Sequence, residues 1–159
     1  MKNKTHLRFG LLAAGINFAL LLTQHFTGAS SNNIFFRIIA LGVLVVAVVA
    51  SCLRFSRDMD HKASFGEVFG TGFRTTAAAT VVFAALFMIF AMMMPGYKEQ
   101  FIQDMIAMGP QANMPETHAE EFERLKQAFP VTVLSGILML YVLPGTVAAL
   151  LGAALAKKK

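Results

Sequence analysis

The sequence predicts an all-α protein, a four-transmembrane-helix bundle with an amphipathic helical hairpin in the outer loop between helices 3 and 4. Three observations predict it. The composition is 56% hydrophobic and only 14% charged, with a mean hydropathy of +0.60, whereas soluble domains average about 45–50% apolar and about 25% charged. Four apolar stretches approach or exceed the roughly 20 residues that cross a hydrocarbon core about 30 Å thick. Lysine and arginine are divided by membrane side. The 159 residues have room for one domain, so 1–159 is read as a single integral membrane unit. Its spans lie at about 9–26, 34–53, 73–94 and 131–156, with an outer helical loop over 95–130.

Segment one runs from Phe9 to about Thr23 and spans only if it extends through Gln24-His25-Phe26. Its strongly polar interior residue is Asn17. A basic lead (Lys2, Lys4, Arg8) and Thr27-Gly28-Ala29 also allow a cleaved signal peptide. The Gln24-His25 pair and the poor match to a small-residue cleavage site favour a retained span. Segment two contains the unbroken run Ile38–Ala50, preceded by Arg37. That arginine is expected to snorkel to the outer headgroups, with pairing to an outer-loop acid as the alternative.

The connection from segment two to segment three is the first informative loop. Arg57-Asp58 follows the second span. Ser64, followed three residues later by Glu67, is a capping-box pattern that starts a helix. Phe65, Val68, Phe69 and Phe73 then recur at helical spacing. This predicts a short amphipathic turn at the inner interface that continues into segment three. Gly66 and Gly70 form a small-xxx-small pair suited to close helix approach. Segment three ends at Pro95-Gly96.

The outer loop is too long for a plain connector. Tyr97, Phe101, Met105 and Met108 share one helical face, and Gly109-Pro110 breaks it. A second helix is expected near Pro115, with Glu116, Glu120 and Glu121 at its N-terminal dipole. Phe122, Leu125 and Phe129 form its apolar side, and Pro130 is expected to separate it from segment four. Segment four is interrupted by Pro144-Gly145, which removes a backbone donor. Small residues line Gly10/Ala14 and Ala148/Gly152/Ala156, surfaces suited to tight packing.

About ten basic residues flank one side, in the N-terminal tail, the 54–74 connection and Lys157–Lys159, against about four on the other. The positive-inside rule places the ten-residue side, and both termini, in the cytoplasm. This division also explains the net charge of +5 without nucleic acid, which needs a concentrated basic surface. The expected partners are the lipid bilayer and a homo-oligomer or small membrane complex.

Chemistry is sparse. Of ten methionines, Met105, Met108 and Met114, with His118 nearby, are candidates for a soft metal such as Cu(I), but adaptable apolar packing accounts for the same residues. No cofactor is expected. No histidine pair stands at zinc-binding spacing, and no nucleophile motif is present, so no enzyme is expected. Cys52 alone excludes an internal disulfide. The interior of each span lacks acids and bases, which transporters usually carry. A structural or accessory membrane subunit is therefore expected. The alternative is a small homo-oligomeric transporter or channel with a polar lumen of Asn17, Thr76, Thr80 and Ser135. An outer-face metal-binding or envelope sensor is a further alternative. The expected interaction and helix-entry motif is Arg57, Asp58, Ser64, Phe65, Gly66, Glu67, Phe69 and Gly70.

These residues support a comparison. The basic tail and first span, Arg57-Asp58, Ser64-Phe65-Gly66-Glu67-x-Phe69 with Gly72-Phe73, and Pro95 leading an acidic outer helix together resemble a bacterial family of small four-helix membrane proteins, domain of unknown function 4199. The resemblance covers nearly the whole chain. It implies four spans and inner-membrane residence, and it carries over no activity and no catalytic residues.

Overall fold

The computed structural model describes residues 4–29, 33–108 and 118–156. Among them the chain forms five helices and no strand: α1 (Thr5–Phe26), α2 (Ile34–Asp58), α3 (Phe65–Met93), α4 (Pro95–Met108) and α5 (His118–Ala156). Four of these, α1, α2, α3 and α5, are long and apolar enough to cross a membrane. Their outward faces carry bare apolar side chains such as Leu12, Ile38, Val46, Val81 and Leu143. A contiguous apolar exterior of this kind is foreign to a soluble monomer and natural against lipid.

The helices start and stop for local reasons. Asn33 caps α2 by accepting from the Phe35 N–H. Ser64 and Glu67 form the reciprocal capping box of α3. Met94 closes α3 with its N–H on the Phe90 carbonyl, and α4 begins immediately at Pro95, a proline at the first helical position, where its missing N–H costs nothing. α1 begins at Thr5, four residues before the sequence-based boundary, which gives it 22 residues, enough to span.

Neighbours in the bundle are mostly not neighbours in the chain. α1 lies against α2 and α3, α5 lies against α2 and α3, and α2 meets α3 across the middle. α1 and α3 run parallel, because Gly10 faces Thr75 and Ala78, and α2 and α5 run parallel, because Gly152 faces Val49 and Cys52.

The two ends of the bundle pack differently. At the end where α1 starts and α5 finishes, small residues let backbones touch. Gly72 and Gly152 close on Cys52, Gly145 closes on Thr76, and Ala79, Ala148, Ala149 and Ala153 are fully buried. At the end bearing α4, rings fill the interior. Phe90 and Tyr97 meet at 4.9 Å between centroids, Phe87 and Phe101 at 5.6 Å, and Phe101 and Phe129 at 6.1 Å. These edge-on contacts are the arrangement that ring quadrupoles favour.

The expected outer hairpin needs correction. Its first helix exists as α4, but the second is not separated from segment four. α5 runs unbroken for 39 residues through Pro130 and Pro144. At 1.5 Å per residue that is about 58 Å, nearly twice the hydrocarbon thickness. Each proline removes one helical hydrogen bond. The helix persists because its buried face keeps phase across Pro130: Phe129, Val133, Ile137 and Tyr141 are all buried, four residues apart. Gly109-Pro110, Met114, Pro115 and Glu116 lie outside the described residues.

Candidate functional site

Three places hold the distinctive side chains, and the α2–α3 turn comes first. The last turn of α2 closes with His61 N–H on Ser56 O (2.9 Å) and Asp60 N–H on Arg57 O (3.0 Å), the paired bonds of a Schellman motif. This bends Asp60 and His61 to positive φ, 49° and 59°, where L-residues other than Asn and Asp are rare. The His61 ring nitrogen Nδ1 sits 3.2 Å from Ser56 Oγ. Arg54 pairs with Asp58 at 3.2 Å, and Arg57 is exposed beside them.

Beyond the turn, the Ser64 N–H donates to Glu67 Oε2 at 2.7 Å and the Glu67 N–H donates to Ser64 Oγ at 3.3 Å. Val68 faces inward against the Cys52–Ala153–Ala156 cluster. Phe65 stacks on Phe69 and Phe69 on Phe73, at 6.5 and 6.2 Å. This ridge flanks Gly66 and Gly70, where an added Cβ would meet nothing within 4 Å. The small-xxx-small pair singled out in the sequence therefore faces open space rather than a neighbouring helix among the described residues. The close approaches fall instead at Gly10, Gly72, Gly145 and Gly152. The small-residue pairs Gly10/Ala14 and Ala148/Gly152/Ala156 signalled two of these; nothing in the sequence marked Gly72 or Gly145 as a packing contact.

The second place is the polar interior. Asn17 is 2% exposed. Its Nδ2 donates to the Tyr141 hydroxyl at 2.9 Å and to the Ala40 carbonyl at 3.2 Å, tying α1 to α5 and α2. Its Oδ1 is buried with no partner among the described residues. Thr75 Oγ1 lies 2.8 Å from Ser51 Oγ, bridging α3 and α2. Thr76 and Thr80 donate back to the carbonyls of Gly72 and Thr76. Asn17, Thr76 and Thr80 are thus packed in the core while Ser135 is exposed on α5. The four do not converge on a polar lumen within the chain, because the Asn17 amide and the Thr76 and Thr80 hydroxyls are used within and between helices and Ser135 faces outward.

The third place was not foreseen. A partly open cavity of about 300 Å³ lies where α2, α3, α4 and α5 meet. Its walls are apolar, chiefly Leu41, Phe83, Phe87, Phe101, Ile137 and Leu140, and Tyr141 closes it toward Asn17. Arg37 and Asp104 are both on its lining, with Thr132 and Gly136 from α5. Both charged residues are engaged in the structure. The sequence predicts a snorkelling Arg37, with pairing to an outer-loop acid as the alternative, and does not single out Asp104. They reach one cavity because α4 packs against α5 and α3, beside the start of α2.

The methionine candidates are dispersed or undescribed. Met105 lines this cavity. Met114 and the side chains of Met108 and His118 lie outside the described residues. α4 itself is anchored by Tyr97, Ile102 and Ile106, all buried. Burial, with Asp104 adding, holds the Tyr97 phenol above its usual range, so it stays neutral. Lys98 sits 4.9 Å over the Phe129 ring, a cation–π contact joining α4 to α5.

Fold and sites together define, among the described residues, a helical protein with four helices apolar enough to be membrane-spanning. Residues 8–158 match the family described as protein of unknown function (DUF4199), and the chain belongs to that family. No curated protein and no solved structure matches it.

Proposed function

We propose that the protein is a non-catalytic structural or accessory subunit of a bacterial inner membrane, crossing it four times with both termini in the cytoplasm, and that it works by docking a second copy or a small partner through the entry to α3. The observation that supports this is the uncovered ridge and groove there. Phe65, Phe69 and Phe73 stand in a stack beside the open Gly66 and Gly70. A ridge next to a groove at four-residue spacing is the geometry by which helices interlock, and paired glycines lower the distance of approach. The orientation follows the excess of Lys and Arg on the side of the termini and the α2–α3 turn.

Co-purification in mild detergent tests the docking. Gly66→Leu and Gly70→Leu should remove the homo-oligomer or bound partner while leaving monomer helicity unchanged. If both variants keep the wild-type size and the same companions, the reading fails. Orientation is checked separately in a Cys52→Ala background. Gln103→Cys should react with a membrane-impermeant maleimide on intact cells, and Lys4→Cys only after permeabilisation.

A further inference from the structure

The geometry points to the cavity between α2, α4 and α5 as a binding site for one membrane phospholipid whose headgroup carries both a phosphate and an ammonium. Four features on its walls lead there.

The first is shape. The cavity follows α5 from Thr132 to Tyr141, nine steps of 1.5 Å, or about 13 Å. Half of a hydrocarbon core about 30 Å thick is about 15 Å. The site is therefore as deep as one leaflet, and its volume of about 300 Å³ lies at the lower end of pockets that take small ligands, roughly 300–1,000 Å³. That is space for an acyl chain and too little for a second helix. The second feature is access. Gly136 and Leu140 on α5 are exposed while lining it, so it opens sideways, the direction from which a lipid would arrive.

The third feature is charge. The apolar walls carry one base and one acid, Arg37 and Asp104. Arg37 lies one turn from the start of α2, and Asp104 is on α4, which lies over that end of the bundle. A guanidinium offers five donors and a carboxylate accepts at about four positions, so each serves a headgroup as well as its present contacts. Guanidinium suits phosphate, and the carboxylate suits an ammonium. The complement of this pair is a zwitterion, not a singly charged amphiphile. The fourth feature is the floor. Tyr141 closes the inner end of the cavity with its ring stacked on Phe83 at 5.1 Å and its hydroxyl accepting from Asn17, so the bottom of the site is an aromatic wall. The chain terminus would end above it.

Gly136 allows a test that separates binding from folding. A Cβ built there meets nothing within 4 Å, and Gly is the poorer helix former, so Gly136→Leu fills the cavity without disturbing the packing. Purified full-length protein in a maltoside detergent is titrated with palmitoyl-oleoyl phosphatidylethanolamine or with palmitoyl-oleoyl phosphatidylglycerol, and bound lipid is counted by native mass spectrometry. The expected result is one tightly held phosphatidylethanolamine, with phosphatidylglycerol about tenfold weaker, as the loss of a charge-assisted contact implies. Gly136→Leu should abolish the bound lipid at unchanged helicity, and Asp104→Asn should erase the difference between the two lipids. Arg37→Ala should weaken both. Undiminished binding by Gly136→Leu overturns the site, and equal binding of the two lipids by the unmutated protein overturns the ammonium assignment. Since none of these residues belongs to the α3 entry, failure here leaves the docking proposal standing, and the reverse holds.

Discussion

The glycines make opposite predictions according to where they sit, and this gives the sharpest test of the packing. A methyl added at Gly72 would lie 2.6 Å from Cys52 Sγ and 2.8 Å from Ala149 Cβ. Comfortable carbon contacts lie at about 3.5–4.0 Å, so Gly72→Ala forces α2 and α5 back by about an ångström. Such overpacking costs about 1–3 kcal/mol. Gly70, two residues away on the same helix, has open space, and Gly70→Ala gains helix propensity worth up to about 1 kcal/mol. The two substitutions are identical in chemistry and share the propensity gain, so they should differ by the overpacking cost, about 1–3 kcal/mol. Titration of the protein in mixed micelles with a denaturing detergent, followed by far-ultraviolet circular dichroism, reads the difference as opposite shifts of the midpoint. Cys52→Ala added to Gly72→Ala should recover part of the loss, since it removes the nearest atom. If Gly72→Ala and Gly70→Ala move the midpoint equally and in the same direction, the seam described here is wrong.

Three further outcomes follow from the same measurement. Ser64→Ala should destabilise by about 1 kcal/mol, because it removes the side-chain half of the capping box, and Glu67→Ala should cost less than that again when added to it, since the two bonds are reciprocal. Asp60→Gly should stabilise by about 1 kcal/mol by relieving a left-handed residue; a loss of stability would mean that the aspartate side chain contributes more than its backbone costs. A double-mutant cycle of Asn17→Leu and Tyr141→Phe should give a coupling of about 0.6 kcal/mol, the usual size of a buried interhelical bond in a bilayer. A coupling of zero would place no energetic weight on that contact.

Much of the architecture was readable because lipid imposes simple rules. Uninterrupted apolar runs became α2 and α3, and the Ser64–Glu67 pattern became a real capping box, since both signals are local. Pro130 misled because proline normally ends a helix, whereas here burial of Phe129 and Val133 on either side carries α5 through it. The four-residue spacing from Phe129 to Tyr141 was the available clue. The cavity was not legible at all. Arg37 and Asp104 are distant in sequence, and their meeting depends on how α4 folds over the bundle. The same reason hid Gly72's place in the glycine seam: it acquires its partners from α2 and α5, which no pattern within α3 encodes.

The bond between Asn17 and Tyr141 spans 124 residues of chain, and that number sets a clock. A ribosome adds about 5–20 residues per second, so Tyr141 is made about 6–25 s after Asn17. Through that interval α1 is already synthesised while its partner in α5 does not exist. The Ala40 carbonyl, which Asn17 also reaches, is available after only 23 residues. The Asn17 amide nitrogen is therefore engaged in two instalments, first within an α1–α2 hairpin and then by the arrival of α5. Closure of the Asn17–Tyr141 bond thus waits for α5, whereas α1, α2 and α3 already have one another to pack against before it is made.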